Sequence, residues 1–372
     1  MISRSFSGSY DPADVVFLLK TINLAPMPPG ERERRIQTGL AHYSEMIGEE
    51  YPPSAAYLRV FHESVQRDGP VMAERLCALA AIIAARRRGP LTLVSLARAG
   101  TPVGILLGRI LRRYFHRDAR HYSISIIRER GLDANALRYL LQERHLPAEG
   151  IVFVDGWTAK GGIARELAAA VERYRRETGL GLASDLHVLT DLCGEAGVAP
   201  SREDFLVPSS ILNSTVSGLI SRTILNADHS GPDDFHGCVH YGHLAPHDLS
   251  RFFVDRIMAE VERLDRASPV SAIKAEPLSA EERLDLRRAG RMFVDRILRA
   301  HNLPNANHIK PGLGEATRVL LRRSPGAVLL RAPDEPETRH LRILAEEKKV
   351  PLVHDPALPY RAAALIKVVD HA

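Results

Sequence analysis

The chain has 372 residues, of which 45% are hydrophobic and 26% charged. This is the composition of a globular protein of two or three domains. A formal net charge of +5 favours anionic partners, either nucleotide-like metabolites or nucleic acid. Three scattered cysteines exclude a disulfide framework, and the sequence shows no signal-like or membrane-spanning apolar stretch. We therefore expect a cytoplasmic protein without a membrane partner.

The pattern of apolar residues divides the chain into regions. Residues 1–90 carry apolar residues at three- and four-residue intervals, which predicts a mainly helical cap that belongs to the catalytic unit. Repeated strand–loop–helix patterns in residues 91–265 predict a parallel α/β sheet, whose ligands collect at the carboxyl ends of the strands. The strand-like segments are residues 91–97, 121–127, 151–154 and 184–192.

The C-terminal part has a different organisation. Residues 266–302 begin with a linker rich in Pro, Ser and Ala and continue as a helix. Residues 303–372 repeat a helix–strand pattern twice, which predicts a small separate α/β domain. The fold class is therefore α/β, with a parallel-sheet core, an N-terminal helical cap and a small C-terminal domain.

A glycine-rich loop follows the strand "IVFV" and precedes a predicted helix. Asp155 stands first in this loop, and Gly156, Gly161 and Gly162 allow close approach of a ligand to the backbone. Backbone N–H groups at such a turn form an anion site. The loop has neither the Walker A spacing nor Gly-x-Gly-x-x-Gly. The alternative is a plain strand-to-helix turn in which Asp155 is the N-cap.

Two further loops carry arginines after predicted strands. Arg98 lies in "RAGTP", beside Gly100, and Arg128 and Arg130 lie in "RERGLD". The guanidinium fork matches phosphate oxygens, so both loops are candidates for anion binding. The alternative is ordinary solvated surface charge.

Longer phrases in the sequence resemble a known family. "VDGWTAKGG" is similar to the ribose-phosphate loop of type I phosphoribosyltransferases, and "LARAGTPVG" is similar to their pyrophosphate loop. "SFSGSYDPADVVFLLK" and "TVSGLISRTILN" resemble a branch of tellurite-resistance-type stress operons, the StiP group, whose members carry a cysteine protease label. The resemblance implies a type I phosphoribosyltransferase-like core.

The resemblance also implies a reaction. Ribose 5-phosphate would pass from phosphoribosyl pyrophosphate, bound with Mg²⁺, to an unidentified base-like acceptor, with Asp155 at the ribose and Arg128 and Arg130 closing over the site. Gly156 replaces the second acid of the family's loop. The implied 5′-phosphate site is Thr158, Lys160, Gly161 and Gly162, the pyrophosphate site is Arg98, Ala99, Gly100 and Thr101, and the acceptor site is Ser214, Thr215 and Ser217.

Two other functions stay open at this point. A nucleotide- or RNA-sensing regulator could keep the fold without turnover, because the second loop acid is missing. The third function is a cysteine protease, for which Cys193 is the candidate nucleophile. His236, Cys238 and His240 are zinc-ligand types that would share one face of a strand, but no fourth ligand follows, and we expect no bound metal among these residues.

Residues 312–353 resemble the pelota-type RNA-binding fold. In that family a turn that opens a helix contacts RNA. Here Glu315 matches the family's Glu, Arg318 stands in for its Lys, and Gly314 replaces its Asn. The resemblance implies RNA contact through Glu315 and Arg318. The alternative is a domain for dimerisation, which would give a homodimer, or for covering the catalytic site.

Overall fold

The computed structural model describes residues 6–367, without the side chains of Pro29, Glu33, Gln37 and Arg322. Residues 1–5 and 368–372, the ends of the predicted cap and C-terminal domain, lie outside this range. The helices are α1 Pro29–Gln37, α2 Ala55–Arg86, α3 Thr101–Tyr114, α4 Ala134–Arg138, α5 Gly162–Thr178, α6 Ser250–Ala267, α7 Ala280–Ala300, α8 Leu313–Arg322 and α9 Arg339–Glu347. The strands are β1 Val16–Leu18, β2 Lys20–Thr21, β3 Leu91–Ala97, β4 Ala119–Ile127, β5 Gly131–Leu132, β6 Ile151–Val154, β7 Trp157–Thr158, β8 Leu186–His187, β9 Thr190–Asp191, β10 Gly237–Cys238, β11 Ile309–Pro311, β12 Pro325–Leu330, β13 Leu352–His354 and β14 Ala362–Ile366.

The main sheet is parallel, as predicted. Its order is β1-β4-β3-β6-β8, and β5 pairs antiparallel with β4 at the end of that strand. Strands β3 and β6 are buried along nearly their whole length because helices cover both faces of the sheet. The loops after β3, β4 and β6 therefore meet at one edge of the sheet.

The prediction of one strand over residues 184–192 is wrong. Strand β8 pairs with β6 in the main sheet, whereas β9 leaves that sheet and pairs with β7, inside the glycine-rich loop. The chain changes partner at Leu189, whose N–H donates to the carbonyl of Gly156. The histidine-rich segment is also no long strand, since Gly237–Cys238 pairs with β2 over two residues, and His240 and Gly237 form only single bridges, with Ile220 and Ile224.

Residues before β3 contribute more than a helical cap. Strand β1 is the edge strand of the main sheet, beside β4. Helix α2 begins where the Ser54 hydroxyl accepts the N–H of Tyr57, and it packs against α3 and α6 through buried residues such as Met72, Leu76 and Phe253. The domain boundaries proposed above remain predictions.

The C-terminal unit is a four-stranded sheet, in the order β11-β14-β12-β13, with α8 and α9 packed against it. It is joined to the core through Asp204, whose two oxygens accept the backbone N–H groups of Leu313 and Arg361 at 2.9 Å. Burial raises the pKa of Asp204 to about 6. Leu313 and Ala316 belong to the same apolar cluster as Leu206 of the core. The first turn of α8 consequently faces the loop after β6.

Within residues 6–367, no helix combines the length and the apolar character that a membrane span requires.

Candidate functional site

The loop between β6 and α5 has the predicted strand–glycine–helix shape. Asp155 is partly buried and accepts the N–H of Gly156 at 2.8 Å, and burial raises its pKa to about 6. The N-cap of α5 is Gly161, with φ of 70°, and a Cβ there would lie 2.3 Å from the side chain of Glu195. The position therefore requires glycine. The alternative in which Asp155 caps the helix is wrong.

The hydroxyl of Thr158 is already used in a hydrogen bond within the protein. This hydroxyl donates to Oδ1 of the buried Asp191. The same carboxylate accepts the backbone N–H groups of Cys193, Gly194 and Ala196 at 2.9–3.0 Å. Thr158 thus helps to fix the turn after β9 and does not present a free hydroxyl to a phosphate.

Lysines from two distant segments meet beside this loop. The Nζ of Lys160 donates to the carbonyl of Ala306 at 2.7 Å. Burial, and next the charges of Lys310 and Arg128, lower the pKa of Lys160 to about 8. Burial also lowers the pKa of Lys310, on β11. The charges of Arg128, Arg323 and Arg318 lower this pKa further, whereas the charge of Glu315 raises it. We call Arg128, Lys160, Lys310, Arg318 and Arg323 the cationic cleft.

The predicted phosphate loop and the predicted RNA-contacting turn are brought together. The guanidinium of Arg318 lies 5.5 Å from the centre of the Trp157 ring, in cation–π geometry. Arg318 also donates to Glu315 at 2.9 Å. A Cβ on Gly314 would lie 3.1 Å from the same indole. The predicted phosphate loop of the core and the predicted RNA-contacting turn of the C-terminal unit are therefore in direct contact.

Arg98 takes no part in this contact. It follows a cis peptide bond after Ala97 and donates to Glu50 at 2.7 Å and to Asn213 at 3.0 Å. Burial opposes the charge of Glu50, but Arg98 and the hydrogen bonds with Ser214 together outweigh burial, so the pKa of this carboxyl lies below its usual range. Ala99, Gly100 and Thr101 form the turn into α3, with Gly100 as its N-cap. The guanidinium that was expected to face pyrophosphate is thus paired within the protein.

Of the two arginines in the loop after β4, Arg130 is paired and Arg128 is not. Arg130 donates to Glu45 at 2.9 Å. The backbone N–H of Arg128 donates to the hydroxyl of Tyr43, and its exposed side chain reaches the cationic cleft. Only Arg128 is therefore available to an anion.

The predicted acceptor residues lie beside Arg98, not beside the phosphate loop. Ser214 and Thr215 are in a buried 3-10 turn, and the Ser214 N–H donates to Glu50 at 3.0 Å. The hydroxyl of Ser217 donates to the carbonyl of Asn213 at 2.7 Å. Sequence reasoning did not find Glu50, which organises this region, because no motif surrounds it.

The cysteines and the histidine-rich segment do not gather into one cluster. Cys193 donates to Asp191 at 3.4 Å, and burial, together with the charge of Asp191, raises the pKa of its thiol. His236 bonds to Ser125 at 2.8 Å, Cys238 is buried in the core, and His240 is exposed, so the three do not converge. The described part of the chain holds no His/Cys/Asp/Glu group suited to a metal ion.

The fold and the cleft define a two-part α/β protein with a cationic surface between its parts. The chain belongs to the StiP family. The family model for the tellurite-like stress resistance cysteine protease StiP matches residues 8–258, and the model for the PELOTA RNA binding domain matches residues 288–368. Cysteine protease StiP from Acinetobacter baylyi (strain ATCC 33305 / BD413 / ADP1) is 40% identical over 377 residues, covering 99% of this chain and 96% of that protein.

These matches confirm the resemblance to the StiP group and to the pelota fold, and with it the link to stress resistance. They correct the predicted reaction. The full-length relative is named a cysteine protease, so the prediction of a phosphoribosyltransferase is wrong. The transferase chemistry, its phosphoribosyl pyrophosphate donor and the accompanying Mg²⁺ are without support. A cysteine protease, the third function considered above, agrees with that name. The homodimer stays a prediction.

Proposed function

We propose that this chain is an enzyme of the StiP family that binds RNA through its phosphates in the cationic cleft. The observation that carries the proposal is a set of cations without partners. Among residues 6–367, the side chains of Arg128, Lys310 and Arg323 have no hydrogen bond or ion pair. Lys310 is nevertheless partly buried and close to Lys160.

Unpaired neighbouring cations repel each other, and the repulsion is stronger where water is partly excluded. The lowered pKa values of Lys160 and Lys310 report burial and this repulsion. The acids nearby offset the group only in part, because Glu315, which already pairs with Arg318, and Asp155 supply at most two negative charges against the five cations. A bound phosphate would supply the missing negative charge.

A polymer fits the cleft better than a single phosphate does. The cations come from four segments: the loop after β4, the loop after β6, strand β11 and helix α8. Arg318 and Arg323 alone are five residues apart, or roughly 7.5 Å along the axis of a helix. The match of residues 288–368 to a domain named for RNA binding supports RNA as the polymer.

Fluorescence anisotropy with a labelled single-stranded RNA tests the proposal on the full chain. We expect Lys310→Gln to weaken binding about tenfold and to lower the slope of log affinity against log salt by about one. Lys274→Gln, at an exposed lysine between α6 and α7, is the matched control and should leave both unchanged. Absence of RNA binding, or equal effects of the two substitutions, contradicts the proposal.

Peptide hydrolysis is the second candidate function, and the name of the Acinetobacter relative favours it. Cys193 is the least buried of the three cysteines, at 7% exposure, and lies in the turn next to β7. A thiol with a raised pKa is a poor nucleophile, and within residues 6–367 no histidine forms a hydrogen bond with it. Peptidase chemistry at Cys193 therefore requires the turn held by Asp191 to open.

Cleavage of fluorescein-labelled casein by the purified chain tests this candidate. Loss of cleavage in Cys193→Ala, with cleavage retained in Cys238→Ala, supports a Cys193 nucleophile. Both substitutions remove a buried thiol, so a general loss of folding would affect both and is seen by circular dichroism. Unchanged cleavage in Cys193→Ala rejects this residue as the nucleophile.

A further inference from the structure

A second group of cations lies deeper in the molecule, next to the cationic cleft. Arg222 donates from Nη2 to the carbonyls of Tyr43 and Met46 at 2.6 and 2.7 Å and lies over the Tyr43 ring. These partners are neutral. Burial, and next the charges of Arg32, Arg98 and Arg323, lower the pKa of Arg222 to about 10.

Arg32 enters this group from α1. Its Nη1 lies against Gly48, where a Cβ would be only 1.8 Å away, so any larger residue at this position would displace the guanidinium. The nearby carboxylate of Glu50 is already occupied by Arg98 and by the N–H of Ser214. Within residues 6–367, Arg32, Arg222 and Arg323 consequently have no carboxylate partner. We call these three residues, with Tyr241, the arginine pocket.

Tyr241 supplies an independent observation. Its side chain is 7% exposed, and its hydroxyl has no hydrogen-bond partner among the described residues. Burial raises its pKa, and the charges of Glu50, Arg98 and Arg222 act on it, which places the hydroxyl among these groups. A buried unpaired hydroxyl costs free energy unless a ligand accepts its proton in a hydrogen bond.

We propose that the arginine pocket holds a terminal phosphate of the RNA, an inference that rests on the proposed RNA binding. Arg323 is exposed, Arg32 and Arg222 are partly buried and Tyr241 is buried, so the group extends from the surface into the interior. An internal phosphodiester needs room for the chain on both sides. A terminal phosphate monoester needs room on one side only, carries close to two charges at neutral pH, and offers three acceptor oxygens to guanidinium groups and a hydroxyl.

The test compares one RNA sequence with a 5′-phosphate, with a 3′-phosphate and with hydroxyl ends. We expect one phosphorylated form to bind the full chain about tenfold more tightly than the hydroxyl form, which is about 1.4 kcal/mol. Arg32→Gln should abolish this preference and leave the hydroxyl form unchanged. Tyr241→Phe should reduce the preference. Arg34→Gln, at an exposed arginine on the same helix that pairs with Glu31, is the control and should change nothing.

The outcomes separate the two proposals. Equal binding of all three RNAs overturns the terminal-phosphate site and leaves the cationic cleft intact. An equal loss for all three RNAs in Arg32→Gln also overturns it. If no RNA binds, the proposed function fails first. Adenosine 5′-monophosphate and inorganic phosphate serve as competitors. If either binds as tightly as the phosphorylated RNA does, the pocket is a site for a small free anion, and the proposal of a site for an RNA terminus is overturned.

Discussion

The indole of Trp157 lies against the backbone of Gly314, so that a Cβ at residue 314 would approach it to 3.1 Å. This contact joins the loop after β6 to the first turn of α8. Alanine in place of helical glycine usually stabilises a helix by about 0.5–1 kcal/mol. We expect the opposite for Gly314→Ala, because the tight contact must give way.

Gly162→Ala is the matched comparison for that substitution. Gly162 is the first residue of α5, and a Cβ there would meet nothing within 4 Å. Thermal unfolding should show a lower Tm for Gly314→Ala and an unchanged or higher Tm for Gly162→Ala. A higher Tm for both would show that the Trp157 contact is not tight.

Asp191 should be among the residues whose loss harms stability most. Its buried carboxylate accepts three backbone N–H groups and the Thr158 hydroxyl. Asp191→Ala leaves these donors unpaired, which costs about 1–3 kcal/mol for each buried group. Urea unfolding should therefore show a loss of several kcal/mol, while Asp233→Asn, at an exposed ion pair, should change stability little. A small effect of Asp191→Ala would mean that water replaces the carboxylate.

Asp155 should make stability depend on pH. Burial raises its pKa from 3.8 to about 6 in the folded chain, so the folded state holds the proton more tightly than the unfolded state does. The contribution of this tighter proton binding to the free energy of unfolding is fully present below pH 4 and is lost as the pH rises through 6. We expect the free energy of unfolding in urea to depend less on pH between pH 4 and 6 in Asp155→Asn than in the unsubstituted chain. At pH 8 the variant should be the more stable protein. A variant with an unchanged pH profile would contradict the raised pKa.

RNA affinity should fall at alkaline pH. The pKa of Lys160 lies near 8, below its ordinary value of 10.5, mainly because of burial. The cleft therefore loses a positive charge as the pH rises through 8 in the free protein. Anisotropy titrations from pH 7 to 9 should show weakening affinity, and Lys160→Arg should bind with little pH dependence, because guanidinium stays charged. Equal pH profiles for the two proteins would exclude Lys160 as the titrating group.

Local patterns in the sequence predicted most of the regular structure. Strands β3, β4 and β6 and the helices after them follow from apolar runs, glycine turns and helical periodicity. The structure of residues 184–192 was not predicted correctly, because the chain changes pairing partner at Leu189, whose N–H donates a hydrogen bond to Gly156. No local pattern encodes such a switch.

The site could be predicted only in its parts. The loop with Asp155 and Gly161 was found because glycine and a strand end mark it locally. The pairing of Arg98 with Glu50, 48 positions away, was not found. Because of this pairing, the guanidinium that the loop motif suggested for anion binding already has a carboxylate partner. The proximity of Lys160 to Lys310 likewise depends on how the two units pack, which no spacing along the chain reveals.

The two hydrogen bonds that Asp204 accepts from Leu313 and Arg361 have a consequence for the chain as a whole. Cutting the chain before α8 would leave a buried carboxylate in the core without its donors and uncover the apolar side of Leu206. The same cut would expose Leu313 and Ala316 on the released piece. The C-terminal unit is therefore packed as part of one folded body with the core, and the cationic cleft exists only where the two meet.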